Sequence, residues 1–329
     1  MAGREITKVL ITLPYQGRHW EKIAEALSPA QIVRCREEDV EAILAQIQDA
    51  DVAILADDIS EAVRDAGKKL RWVHCNHAGI NNSARPEIFA RNIILTSSSG
   101  RSAPVLAEHA FFLMLSLVYQ ARLREELQKK HQWLPIYQGT KGLYGKTLGI
   151  IGLGHTGKEV ALRGKAFGME VWAYERSFAE APENVERYFQ QEKGDDLHEF
   201  LGGCDVVVLS LRLSDESYHM IDRKAFAAMK DGALLINMAR GAIVDEQALA
   251  EALSEGWIAG AGCDVFEVEP LPAESPLWDL PNMIITPHCT PAVPDIAANC
   301  VRIITENIRR YRAGEDLLNA VTRKDVYTK

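Results

Sequence analysis

Short apolar runs recur along the chain, and stretches with helical spacing of apolar positions lie between them. Runs at 8–13, 51–55, 70–74 and 93–96 read as strands, with helical patterns between them such as 40–48. A second series lies at 147–151, 169–174, 205–209, 233–237, 258–262 and 283–286. Strands alternating with helices predict parallel sheets joined by crossover helices. One long helix is predicted over 104–130, mostly apolar in its first half, serving as a core helix or as a subunit interface. The final helix, over 295–312, sets Ile296, Cys300, Ile303, Ile304, Ile308 and Tyr311 at helical spacing.

Only the second series carries a phosphate-binding pattern. Gly152, Gly154 and Gly157, with Leu153, His155 and Thr156 between them, follow the strand at 147–151 and open into a helix. In that context the glycines form a dinucleotide fingerprint. Gly152 permits the tight turn, Gly154 admits a pyrophosphate to the backbone, and Gly157 lets helix and strand pack closely. The helix N-terminus offers free N–H groups and a positive dipole end to the phosphates. Glu175 ends the next strand, where a carboxylate accepts bonds from ribose hydroxyls and repels a 2′-phosphate. The expected cofactor is therefore NAD; Arg176 and Arg212 leave NADP open. The expected fold is α/β and two-lobed: a Rossmann-type nucleotide domain over 103–294, long helix included, inserted in a smaller flavodoxin-like α/β domain formed by 1–102 and 295–329.

Bulk properties narrow the partners. The 329 residues suffice for two domains with separate cores. A formal charge of -9 leaves no basic stripe for nucleic acid. No apolar stretch reaches the length of a membrane span, and the N-terminus has no signal-peptide core. The six cysteines are scattered with no C-x-x-C pair, which predicts reduced thiols in a cytoplasmic protein and no metal site.

Three segments at strand ends carry candidate chemistry, where α/β sheets present their ligands. In 237–246, Arg240 can hold a carboxylate with two parallel hydrogen bonds, or stand as a surface arginine in a loop that Asp245 caps. In 262–272, Asp264, Glu267 and Glu269 follow a strand, and Glu267 reads as an exposed loop carboxylate. In 286–291, His288 follows a strand end, next in order to these acids, and is an acid/base candidate.

These segments, with Ala107-Glu108-His109 and Ala78-Gly79, closely resemble the D-isomer-specific 2-hydroxyacid dehydrogenase family over nearly the whole chain. The resemblance implies that Arg240, Glu269 and His288 are catalytic: Arg240 binds the substrate carboxylate, His288 exchanges the proton of the carbonyl oxygen, and Glu269 keeps that proton available. It implies cofactor contacts from Gly152, Gly154, His155, Thr156, Gly157, Glu175, Arg176, Ala239 and Asp264, the last at the nicotinamide side. It assigns the smaller domain to a small ketoacid or hydroxyacid, held by the backbone of Ala78 and Gly79, with His77 and Arg101 nearby, and it implies a homodimer. Departures bear on the substrate. Asn81 replaces the common acid, His77 replaces a small residue, and Cys289, Thr290, Pro291 and Pro294 stiffen the loop after His288. Asn76, His77, Asn81 and Arg101 suggest a polar or anionic substrate tail. The opposing reading turns His77 into its lobe and pairs Arg101 with Glu108 or Glu125. Two alternatives share the scaffold. Formate dehydrogenases replace the glutamate that Glu269 retains. A nucleotide-sensing corepressor keeps all three catalytic residues.

Overall fold

The computed structural model describes residues 3–134, 142–177, 182–290 and 293–329. They fall into two compact units, Met1–Ser102 with Val293–Lys329, and Ala103–Ala292.

In the first unit, β1 (Lys8–Ile11), β2 (Gln31–Arg34), β3 (Val52–Leu55), β4 (Trp72–Cys75) and β5 (Ile94–Ser97) form a sheet ordered β2-β1-β3-β4-β5. Every pairing is parallel. This is the flavodoxin-like order. Helices α1 (Gly17–Leu27), α2 (Val40–Ile47), α3 (Glu61–Ala66) and α4 (Pro86–Ala90) connect the strands. Their starts follow local chemistry: Asp39 and Ser60 accept backbone N–H groups at the heads of α2 and α3, and Pro86 opens α4.

The second unit begins with α5 (Ala103–Val118) and α6 (Ala121–Lys129). The expected single helix is broken here. Gln120 is left-handed, with φ 51°, and the two helices differ in direction by 62°. A left-handed residue cannot continue the right-handed ladder. The halves also differ in burial: α5 packs Ala107, Ala110, Leu113 and Met114 into the core, whereas α6 buries no residue. There follow β6 (Thr147–Ile151), α7 (His155–Ala166), β7 (Glu170–Glu175), β8 (Arg187–Gln190), α8 (Leu197–Gly203), β9 (Val206–Leu209), α9 (Arg223–Ala228), β10 (Leu234–Asn237), α10 (Glu246–Ser254), β11 (Gly260–Cys263) and β12 (Met283–Ile285). The sheet order is β12-β11-β10-β9-β6-β7-β8, all parallel. Numbered within the unit, its first six strands run 3-2-1-4-5-6, the Rossmann arrangement. The chain then returns to the first unit as α11 (Ile296–Ala313), which stacks Tyr311 on Trp72 with ring centres 5.2 Å apart.

Strands β2 and β8 escaped the hydrophobic pattern. Each has four residues, carries an arginine and lies at the edge of its sheet, so neither shows the apolar run of a central strand. Among the described residues no single helix is long and apolar enough to cross a membrane.

Candidate active site

The fingerprint loop joins β6 to α7. Gly152 has φ 95°, which favours glycine, and a Cβ at Gly157 would stand 2.1 Å from the Gly152 carbonyl oxygen. At Gly154 an added Cβ would meet nothing within 4 Å, so space stands over the backbone there. Gly154 caps α7 without a side-chain hydrogen bond, and His155 and Thr156 form the first turn. The helix thus opens on a shaped loop with space above it, which fits a bound pyrophosphate. Glu175, at the end of β7, accepts the Leu153 N–H and so ties the loop to the second strand. Burial raises its carboxyl above the ordinary range, opposed by that backbone bond and by Arg176. Arg176 itself lies 3.4 Å from Glu216.

The next two strand ends build the charged side. Asn237 closes β10 and brackets the following turn, its Oδ1 accepting the Ala239 N–H at 3.0 Å and its Nδ2 donating to the Arg240 carbonyl at 3.0 Å. Arg240 Nη1 donates to the Ala239 carbonyl at 2.6 Å. Gly241 then lies hard against the segment after β11, since a Cβ there would stand 1.8 Å from the Phe266 carbonyl carbon. Asp245 accepts the Gln247 and Ala248 N–H groups at 3.0 Å and caps α10.

Two loops then meet. The His288 N–H donates to the Asp264 carbonyl at 2.8 Å, which draws the loop after β12 onto the loop after β11. His288 holds φ 50°, a conformation uncommon for its type. Its Nδ1 lies 2.7 Å from Glu269 Oε2, while Glu269 Oε1 accepts the Phe266 N–H at 2.9 Å. The carboxylate is therefore fixed from one side and offers its other oxygen to the ring. An ionised carboxylate only accepts, so Nδ1 carries a proton and Nε2 remains for exchange. The ring is 52% exposed and open to a ligand.

Asp264 sits deeper. Its carboxylate accepts from Thr286 Oγ1 at 2.7 Å, the Cys289 N–H at 3.0 Å and Thr290 Oγ1 at 3.1 Å. His109 of α5 lies behind it, its Nδ1 3.1 Å from Thr290 Oγ1 and its Nε2 3.2 Å from Thr286 Oγ1. Pro291 lies outside the described residues. Glu267 lies exposed on its loop, as expected, but it is not without partners. It accepts the Glu246 N–H and lies 3.1 Å from His219 Nε2, because its loop folds back on the start of α10.

In the first unit, Ala78 and Gly79 follow β4. The preceding Asn76 is braced on several sides: its Nδ2 donates to the Tyr15 hydroxyl at 2.9 Å, its Oδ1 accepts from Ser98 Oγ at 3.3 Å, and its carbonyl accepts from Arg101 Nη1. Burial pushes the Tyr15 hydroxyl up to about 12. Arg101 thus reaches the strand-end loop, while Glu108 pairs with Arg163 at 3.6 Å and Glu125 with Lys129 at 2.9 Å. His77 turns toward Asp57 and Asp58, its Nε2 3.3 and 3.9 Å from their Oδ1 atoms.

Asp58, Cys75 and His77 hold their ligand atoms within 4.8 Å of one another. Metal chemistry is nonetheless poorly served there. Asp58 already accepts the Ser83 N–H and hydroxyl, and burial pushes the Cys75 thiol up to about 12, against the thiolate a metal needs.

The residues lining this site were visible as strand-end chemistry. Their supports were not: His109 reads as one more position of a buried helix, and nothing local marks Thr286 and Thr290 as its partners.

Residues 111–290 match the family model "D-isomer specific 2-hydroxyacid dehydrogenase, NAD binding domain", and residues 9–199 match the corresponding catalytic-domain model. A glyoxylate reductase of Korarchaeum cryptofilum is 36% identical over 293 residues, covering 86% of each chain. A D-isomer specific 2-hydroxyacid dehydrogenase from Xanthobacter autotrophicus Py2, solved with NADPH and MES, is 28% identical with a TM-score of 0.79, covering 98% of this chain and 99% of that one. A glyoxylate reductase from Paecilomyes thermophila is 27% identical with a TM-score of 0.77, covering 97% and 99%.

Proposed function

The chain belongs to the D-isomer-specific 2-hydroxyacid dehydrogenase family, and from that premise we propose how its own residues act. It is an NAD(P)H-dependent reductase of small 2-ketoacids of the glyoxylate and hydroxypyruvate kind. The observation that carries the assignment of roles is the His288–Glu269 pair at 2.7 Å. Glu269 holds the Nδ1 proton and fixes the ring, so Nε2–H is given to the carbonyl oxygen in reduction and taken back in oxidation. Arg240 binds the substrate carboxylate through its two-pronged guanidinium and polarises the ketone. Ala78, Gly79, His77 and Arg101 of the first unit are assigned to the substrate as well, His77 chiefly by shaping its loop, since its ring lies against Asp57 and Asp58. When bound, the nicotinamide supplies or accepts the hydride. Gly152, Gly154, His155, Thr156 and Gly157 hold the phosphates, and Glu175, Arg176, Ala239 and Asp264 complete the cofactor site.

Arg101 favours a substrate with a polar or anionic tail. The test compares hydroxypyruvate, glyoxylate and a dicarboxylic ketoacid with 2-ketoisocaproate, in the wild type and in Arg101→Ala. The polar acids should lead in the wild type and lose most in the variant. Preference for the aliphatic acid, unmoved by the substitution, contradicts this assignment.

We assign NAD(H) as the preferred coenzyme. Glu175 carries a carboxylate at the strand end, and Arg176 lies within ion-pair distance of Glu216. Two like charges about 4 Å apart repel by about 1 kcal/mol in bulk water and about 4 kcal/mol near a protein surface. Glu175→Gln keeps an acceptor for the Leu153 N–H while dropping the charge, so kcat/KM should rise for NADPH relative to NADH. An unchanged ratio removes Glu175 from coenzyme choice.

We place the enzyme in the cytoplasm, where its six free thiols stay reduced, and assign it a homodimer. Phe112, Tyr119, Leu123, Trp133 and Leu134 expose apolar surface on and after α5 and α6, a patch suited to a second copy of the chain. Sedimentation equilibrium should report two chains, and one chain for Leu123→Glu. A wild-type monomer refutes the dimer.

A further inference from the structure

We propose that His109 is held as an imidazolium and, paired with Asp264, latches the loop that carries His288. The inference deepens the reading of His288 as the proton donor and rests on it.

Asp264 is 2% exposed, and its two oxygens accept from the hydroxyls of Thr286 and Thr290. Each hydroxyl has one proton, and here that proton goes to the carboxylate. The same two oxygens also stand at hydrogen-bond distance from the two ring nitrogens of His109, Thr286 Oγ1 from Nε2 and Thr290 Oγ1 from Nδ1. With their protons committed, the hydroxyls can only accept from the ring. Both nitrogens must then donate, and a ring with two N–H groups is an imidazolium. A neutral ring would need a proton from one threonine, taking a bond from a buried carboxylate. Burying an ionised carboxylate is costly unless it is both paired and hydrogen-bonded. The imidazolium supplies the pairing charge, with Nδ1 3.9 Å from Asp264 Oδ2.

The latch closes on the catalytic loop from both ends. Thr286 and Thr290 flank His288, the Cys289 N–H donates to the Asp264 carboxylate, and the His288 N–H donates to the Asp264 carbonyl. His288 needs such restraint because its φ of 50° is uncommon for a side-chain-bearing residue. His109 is thus a positioning residue, acting through the loop.

The test has a spectroscopic arm and a kinetic arm. In holoenzyme labelled with 15N-histidine, both ring nitrogens of His109 should resonate as protonated at neutral pH. The signals are assigned by their loss in His109→Gln or, should that variant not fold, in His109→Asn. One unprotonated ring nitrogen overturns the imidazolium. Misplacing a catalytic group by about 1 Å can cost about 10²-fold. His109→Gln should therefore lower kcat by about that factor while the Kd for NADH stays within about twofold. The double variant with Asp264→Asn should be little worse than Asp264→Asn alone, because His109 acts through that carboxylate. Wild-type kcat in His109→Gln, or losses that multiply in the double variant, overturn the latch. His288→Ala measured alongside separates the two readings. If it keeps turnover, the proton-donor assignment fails whatever His109 does; if it is inactive while His109→Gln is normal, only the latch fails.

Discussion

Replacing His288 with alanine should lower kcat by about 10²–10⁴-fold, the usual contribution of a positioned acid or base, while NADH binding changes little. The reason lies in the division of labour within the second unit. The coenzyme is assigned to the fingerprint loop and α7, whereas His288 hangs from the loop after β12 and is fixed by backbone bonds to Asp264 and by Glu269. Truncating the ring removes the Nε2 proton and leaves the loop's main-chain anchors in place. Loss of NADH affinity equal to the loss of kcat would instead mean that the substitution collapsed the site. Glu269→Gln belongs to the same argument and has a milder effect. Its amide oxygen can still accept from Nδ1, but the amide can also turn an N–H toward the ring, so the orientation and tautomer of His288 are less firmly held. kcat should therefore fall, though by less than in His288→Ala. A kcat equal to the wild type would show that the 2.7 Å contact has no part in proton supply.

Arg240→Ala should reduce kcat/KM by an amount fitting the loss of one partner from a hydrogen-bonded charge pair, about 2–5 kcal/mol, or roughly 30-fold to several-thousand-fold. Arg240→Lys should fall between the two, because an ammonium keeps the charge and loses the fork. The surrounding turn should survive both changes. Asn237 holds it through the Ala239 N–H and the Arg240 carbonyl, both main-chain groups. Equal kcat/KM in Arg240→Lys and the wild type would show that two-pronged binding is not used.

What could be read from the sequence follows the range of the forces involved. The fingerprint was legible because Gly152 and Gly157 answer to contacts within their own loop: a positive φ and the neighbouring carbonyl oxygen. Arg240, Glu269 and His288 were legible as chemistry because each follows an apolar strand closely, and strand ends in such sheets face the ligand. The fold class followed from alternation alone. The break after α5 did not, because Tyr119 and Gln120 carry no glycine or proline to announce it, and burial of one half against exposure of the other separates the two helices. Strands β2 and β8 were hidden by their edge positions. The support beneath His288 was the least accessible, since His109 and Thr290 are 181 residues apart in the chain. Glu267 was legible as an exposed loop carboxylate, but its partners, Glu246 and His219, come from other segments and left no local mark.

The central claim is that this chain reduces a small 2-ketoacid by direct hydride transfer, with His288 as proton donor. It is tested most directly by incubating hydroxypyruvate with NADH carrying deuterium at the reactive carbon of the nicotinamide and examining the glycerate by mass spectrometry and chiral chromatography. The account predicts D-glycerate with one deuterium at C2, formed by the wild type and about 10²–10⁴-fold more slowly by His288→Ala. NADH bound at the fingerprint with no deuterium transferred to any 2-ketoacid would contradict it, and would point to the nucleotide-sensing alternative built on the same scaffold.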